Sequence, residues 1–477
     1  MENEPCPSPP GPLRPRRRLP RLSPVARRAL IGAVASGAVL GGVLVLLPPE
    51  RRAVPPSPGP MARTRTAVGA GVPVTLSRLE ALIAEREARV RDRPGDARAW
   101  AVLGTAYVER GRRTARPVYY PRAEKALRTS LRVGPKGNVA AFEGLAALAD
   151  ARGDFREARE WAEKAVEKAP KRWTAYPALL DAYAGLGDDG AAARALDALL
   201  TLPPSPSVRA LTARVYRDQG RREDAAAAAG DAAAAATAPA ERALCLELVG
   251  ELAWESGDLG RSLRFYEAAL RATPDEPGAL AGRARALAAL GRTSEALRAY
   301  RAALGKRPEP AYALELGELY ESLGLDREAR VRYDLVRTRV PEASAQGVDD
   351  ALVLGLFEAD HGDPGTAVDV LRDAWERHPG VAVADALGWA LHRAGDDREA
   401  LTFATRATDE EHGGGVRSAL YAYHRGRIER ELGRSGPARR HLAEALRINP
   451  YFSPLLARSA RRTLAELGEP SAEGPPG

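Results

Sequence analysis

From Thr75 onward the apolar residues fall at i, i+3, i+4 and i+7, the spacing that gives a helix one buried stripe. The strict alternation of a half-buried strand is absent, and β-branched runs are short. The helical stretches come in pairs that recur roughly every 34 residues, a period long enough to be one supersecondary unit. Gly111, Gly153 and Gly187 stand where the first helix of a pair must end in a left-handed residue. Asp154 with Glu157 has the spacing of a capping box, and Asp363-Pro364 sets an N-cap beside a proline at the first helical position. Proline closes most pairs. No pair can bury its own apolar face, so the pattern predicts an all-α solenoid over residues 75–468, held together by stacking neighbours. Ser77-Arg78-Leu79-Glu80 opens a lone helix that ends before Pro94 and caps the first pair. Residues 454–467, with Leu455, Leu456, Leu464 and Leu467, cap the last, and residues 469–477 read as a disordered tail.

The recurring residues keep a fixed order. A first helix carries Trp100, Leu103, Gly104 and Tyr107; the seventh unit reads Leu316, Gly317, Tyr320, Gly324, Ala329, Tyr333 and Pro341. The tenth ends with Gly426, Gly433, Ala438, Leu442, Ala445 and Pro450. This order resembles that of the tetratricopeptide repeat, over about ten units. The resemblance implies a right-handed α-solenoid whose first helices line a concave groove for peptides or partner proteins, without catalysis. Carried over unit by unit, the groove positions are acidic at Glu143, Asp181, Glu247, Glu251, Glu318, Glu321 and Asp385. They are basic at Arg214, Arg217, Arg285, Arg427 and Arg430, and aromatic at Trp254, Trp389 and Tyr423. The family's carboxylate clamp places Lys and Asn at such positions; this chain has neither there, which argues against capture of an acidic C-terminal peptide. An acidic middle and a basic C-terminal groove suit a partner of patterned charge, the alternative being solvated helix faces. Trp389 and Tyr423 are the expected anchors of such a partner.

Two departures from the repeat matter. The first unit holds extra residues between its helices, including Tyr119 and Tyr120, which either meet a partner or pack beneath their loop. Residues 225–236 are nearly all alanine, a strong helix former with little area to bury, so that helix is expected to be a soft joint.

The first seventy residues are different in kind. They hold 11 Arg and 3 Glu, a net +8, which is the whole net charge of the 477-residue chain; the array itself is neutral. That removes the basic face a nucleic-acid binder needs. Residues 1–28 are a Pro/Arg-rich segment with seven arginines. They precede the uncharged stretch from Ala29 to Leu47, which as a helix reaches about 28 Å and matches a bilayer core. The arginine asymmetry favours a single-pass anchor with the N-terminus inside and the array outside the cytoplasm. Gly37 and Gly41 form a GxxxG pair through which two such helices could dimerise. The alternative is an exported soluble protein freed from a twin-arginine-like signal at Arg27-Arg28, distinguished by N-terminal sequencing of the mature chain. Residues 48–74, with seven prolines, read as a stiff spacer. The Arg-over-Lys and Ala/Gly/Pro bias is that of a high-GC bacterial genome.

No nucleotide-binding, serine-elbow or HExxH motif is present. Cys6 and Cys245 are too far apart in sequence to suggest a disulfide framework or a cysteine metal site. The six histidines lie between His361 and His441, in different repeats and without ligand spacing, and are expected to be solvated or capping. No cofactor, metal or catalytic constellation is expected; His412-Gly413-Gly414-Gly415 reads as a connecting loop.

Overall fold

The computed structural model describes residues 71–409 and 415–468, with Thr64 standing alone before them. They belong to one compact unit, Gly59–Gly477. The expected anchor with Ala29, Gly37, Gly41 and Leu47, most of the spacer, His412 and the tail lie outside the described residues. None of the described helices is long and apolar enough to cross a membrane.

Among the described residues there are 22 α-helices and no strand. Helix α1 (Leu76–Asp92) stands alone at the start. Five pairs follow: α2 (Ala97–Thr114) with α3 (Tyr120–Val133), α4 (Val139–Arg152) with α5 (Phe155–Lys168), α6 (Tyr176–Gly185) with α7 (Asp189–Leu200), α8 (Pro206–Asp218) with α9 (Arg222–Ala235), and α10 (Pro239–Glu255) with α11 (Leu259–Ala272). Five more complete the array: α12 (Pro277–Ala289) with α13 (Thr293–Lys306), α14 (Pro310–Ser322) with α15 (Asp326–Ser344), α16 (Ala351–His361) with α17 (Pro364–Arg377), α18 (Val381–Arg393) with α19 (Asp397–Thr408), and α20 (Ala419–Glu431) with α21 (Ser435–Ile448). Helix α22 (Leu456–Leu467) closes the end. The ten expected units and both capping helices are therefore present.

The helix ends follow the local chemistry. Asp154 accepts from the Glu157 amide at 3.0 Å, and Asp363 from the Thr366 amide at 2.7 Å, each satisfying an orphan donor of the first turn. Gly153 and Gly187, with Gly220, end first helices at φ +76, +67 and +72, but Gly111 lies inside α2, which runs on to a left-handed Ala115 at φ +47. Pro341 departs from expectation: α15 runs through it to Ser344, a turn beyond the predicted stop.

Small residues on the first helices explain the stacking. A Cβ on Gly104 or on Gly144, one unit later, would collide with the side chain of Leu127, which is fully buried between them. Tyr266 takes the same place against Gly250 and Gly282, Tyr333 against Gly317, Leu371 against Gly355, and Leu442 against Gly426. These five second helices thus drive a large side chain into a notch cut by glycine. Burying such a leucine is worth about 1.5–3 kcal/mol, and it is available only when the next unit is in place.

The array coils back on itself. The turn after the first helix of a unit lies against the linker that follows the unit five places later. The Asp349 amide donates to the Arg152 carbonyl at 2.8 Å. Gly187 approaches Pro379 so closely that a Cβ would stand 2.9 Å from its carbonyl oxygen, and a Cβ on Gly220 would be closer still to that of Gly415. Asn449, 2% exposed, donates from Nδ2 to the Trp254 carbonyl at 2.8 Å, and Arg222 donates to the carbonyl of Arg417; both pairs are 195 residues apart. These contacts form a seam between successive turns of the superhelix. By contrast, Gly291, Gly324, Gly395 and Gly433, which end first helices farther along at positive φ, have no heavy atom within 4 Å of a Cβ.

Candidate functional site

Charged side chains on the inner face of the first helices meet their counterparts one unit along. Arg112 reaches Asp150 at 3.5 Å, Asp181 reaches Arg214 at 2.7 Å, and Arg217 lies 3.5 Å from Glu251. Arg285 makes a two-pronged contact with Glu315, His361 lies 3.2 Å from Glu321 and 3.7 Å from Glu318, and Asp385 bonds His424 at 3.0 Å. Arg430 ends this ladder on Glu466 of α22 at 2.8 Å, while Arg427 turns to Ser459 and Glu431. Most predicted groove charges are thereby paired within the chain: Asp181 with Arg214 and Arg217 with Glu251 among themselves, the others with residues outside the predicted set. The expected basic C-terminal patch is neutralised by carboxylates of its own helix and of the cap.

The predicted aromatic anchors occupy the core. Trp389 is 2% exposed and donates from Nε1 to Asp360 at 3.0 Å; Tyr423 is equally buried and packs against Trp389. Trp254 is also buried. Their positions face the adjoining unit, where so much apolar area is better covered than left in water. Tyr119 and Tyr120 are buried too, the first stacked on Tyr107 and the second beneath Gly111, because a 3-10 turn at Pro117–Tyr119 folds the extra residues inward. Of the histidines, expected to be solvated or capping, His378 is the C-cap residue of α17, but none is merely solvated among the described residues: His361, His378, His392, His424 and His441 each lie on a carboxylate. They share no register: His361 and His424 meet acids of the preceding unit, whereas His392 and His441 pair within their own, so the repeat pattern did not announce these contacts. Among the described residues, no three His, Cys, Asp or Glu side chains are grouped to hold a metal ion.

Between the two turns, beside the seam, lies a chamber of about 830 Å³. Arg112, Asp150, Asp181 and Arg214, from the ends of the early first helices, form one wall; Arg307, Glu309 and Asp350, from linkers of the later units, form another. Leu211, Val215, Val348, Leu352 and Val383 supply apolar surface. Charge is tightly confined here. Burial and the nearby charge of Asp181 push the Asp150 carboxyl up to about 7. Burial, with Glu309 and Asp349, pushes Asp350 up to about 6. Glu309 is raised by burial against the pull of Arg307. Asp349 is driven the other way: burial opposes ionisation, but His378, the Ala351 amide and Arg377 together hold it well below the usual carboxylate range. Farther along the inner face, burial and the charges of Glu276 and Glu251 push Glu247 up to about 8, and its Oε2 is buried with no hydrogen-bond partner. Neither Asp150 nor Asp350 was singled out in the sequence, because the chamber joins residues of opposite turns.

Comparison with known proteins follows the same lines. The tetratricopeptide repeat family model matches residues 120–172, 210–277, 247–311 and 281–335. No curated protein matches the sequence. Among solved structures, the chain is similar to a tetratricopeptide repeat protein from Parabacteroides merdae, at 18% identity and a TM-score of 0.33, over 56% of this chain and 100% of that one. It is similar to yeast Tom70 at 14% identity and 0.31, over 77% and 97%. It is also similar to human IFIT1, solved as a dimer with PPP-AAAA, at 14% identity and 0.44, over 81% and 94%. The notched helix pairs and the matched segments agree: residues 120–172 and 210–335 carry tetratricopeptide repeats.

Proposed function

We propose that this chain is a non-catalytic scaffold that holds a segment of a partner protein on its inner face. It does so at a bacterial cell envelope, tethered by residues 29–47 as a single membrane helix with the array outside the cytoplasm. The tetratricopeptide fold is consistent with a protein-interaction scaffold. The observation that carries the reading is the chamber of about 830 Å³, a volume fit for a few side chains and walled by both apolar and charged groups. The uncharged stretch Ala29–Leu47 between arginines supports the anchor, and Gly37 with Gly41 gives it a face for a second copy.

The test is site-specific photocrosslinking of the full chain in intact cells. A crosslinker at Val215, in the chamber, should trap a discrete partner, whereas one at the exposed Val331 of α15 should not. Equal or absent trapping at both sites overturns the inner face as the binding surface. Resistance of the chain to carbonate extraction from membranes, lost on deletion of residues 29–47, tests the anchor separately.

A further inference from the structure

Resting on that reading of the chamber as the binding surface, we propose that its ligand is an extended peptide segment of the partner presenting a cationic side chain, guanidinium or ammonium, to Asp350.

The chamber's own ion pairs leave two carboxylates over, Asp189 and Asp350. Its lining holds eight carboxylates, from Asp150, Asp181, Asp189, Asp218, Glu309, Glu342, Asp349 and Asp350, against five arginines. Every arginine is already engaged: Arg112 with Asp150, Arg214 with Asp181, Arg217 with Asp218, Arg307 with Glu309 and Arg339 with Glu342. Asp349 is taken by Arg377 and His378. Asp189 is exposed, but Asp350 is half-buried, begins α16 without capping it, and makes no ion pair among the described residues, while Glu309 and Asp349 stand near it. An anionic ligand would find no free arginine and an excess of like charge; a cation would find Asp350 waiting.

A second observation points the same way. His378 lines the chamber and is 8% exposed; its Nε2 meets Asp349 at 3.0 Å, while its Nδ1 is buried with no partner. In the neutral ring whose Nε2–H donates to Asp349, Nδ1 is an acceptor without a donor among the described residues. Guanidinium and ammonium groups offer donors alone. The valines and leucines of the lining are the surface on which the alkyl stem of Arg or Lys, and apolar neighbours in the peptide, would pack. Burial raises the carboxyls of Asp150, Asp350 and Glu309, and at Asp350 the neighbouring carboxylates Glu309 and Asp349 add to it with no cation set against them.

The test is fluorescence anisotropy on the detergent-solubilised full chain with a labelled short peptide, valine-rich around one central position that is Arg, Lys, citrulline or Glu. The Arg and Lys peptides should bind, and the Glu and citrulline peptides should bind roughly tenfold more weakly or worse. Asp350→Asn, which keeps the shape, should weaken the Arg peptide by about tenfold and leave the citrulline peptide unchanged. Asp350→Lys should abolish binding of the Arg peptide. If the Glu or citrulline peptide binds as well as Arg and is displaced by a bulky label at Val215, the chamber binds peptides but the cationic selectivity is wrong. If only a peptide of Pro10–Arg28 binds, the occupant is this chain's own basic segment and a partner's cation is ruled out. Binding of no peptide while Val215 still traps a partner in cells overturns the peptide ligand and leaves the scaffold reading standing.

Discussion

The seam between turns can be taken apart with four glycines, because strain and steric contact are separable there. Gly291 ends its helix at φ +74 with nothing near a Cβ, so Gly291→Ala carries backbone strain alone. Gly380 has φ −77, open to any residue, but its Cβ would stand 2.8 Å from the Ala184 carbonyl oxygen, so Gly380→Ala carries contact alone. Gly187 and Gly220 combine both. A left-handed alanine costs about 1–2 kcal/mol, offset by roughly 0.4–1 kcal/mol from the stiffer unfolded chain. A backbone contact that no rotamer can relieve adds about 1–3 kcal/mol. Less that offset in each case, Gly291→Ala should lower stability by about 0.5–1 kcal/mol, Gly380→Ala by about 0.5–2, and Gly187→Ala by about 1.5–4, with Gly220→Ala the most severe. Urea denaturation gives the stabilities. Small-angle X-ray scattering gives the second readout: variants at 187, 220 and 380 should lengthen the particle as the turns part, and 291 should not. Equal behaviour of Gly220→Ala and Gly291→Ala in both measurements would refute the seam.

Other outcomes follow from particular groups. Leu127→Ala, which empties the notch between Gly104 and Gly144, should cost about 2–5 kcal/mol in chemical denaturation. Glu247 has an ordinary value of 4.5 and a folded value of about 8, so the folded chain holds the extra proton between them. Stability should fall as pH rises through that window, and Glu247→Gln should flatten the slope and raise the melting temperature more at pH 8 than at pH 5. Asn449→Ala removes one of two donors to the Trp254 carbonyl, which keeps the Gly257 amide at 2.9 Å, and should cost about 0.5–1.5 kcal/mol, read by denaturation. Helix α9, whose buried side chains are alanines alone, should exchange its amide hydrogens faster than α17, which buries Leu371. Matching rates would remove the soft joint.

What could be read in the sequence is what lies within one repeat. Gly104 with Tyr107, or Asp363 with Pro364, announces its local structure because the partner atoms are a few residues away. Trp389 shows where such reading ends. Its register places it on a first helix, but register alone does not say that the next unit and Asp360 close over it. Tyr120 depended on whether the extra residues bulged out or folded in, and the 3-10 turn decides that. Asp350 and His378 carry little signal of their own: their setting comes from linkers opposed to helix ends of another turn. The seam itself is made mainly of backbone atoms at Arg152, Trp254 and Pro379, which any sequence could supply.

That seam constrains how such a chain can change. An open stack of repeats accepts the gain or loss of one member anywhere, since each touches only its neighbours. Here Arg152 must find Asp349 and Trp254 must find Asn449, so removing one repeat from the middle would slide every later linker past its mate by a whole step. The number of repeats between mates is fixed like the teeth of a ratchet, and only the two ends are free to grow.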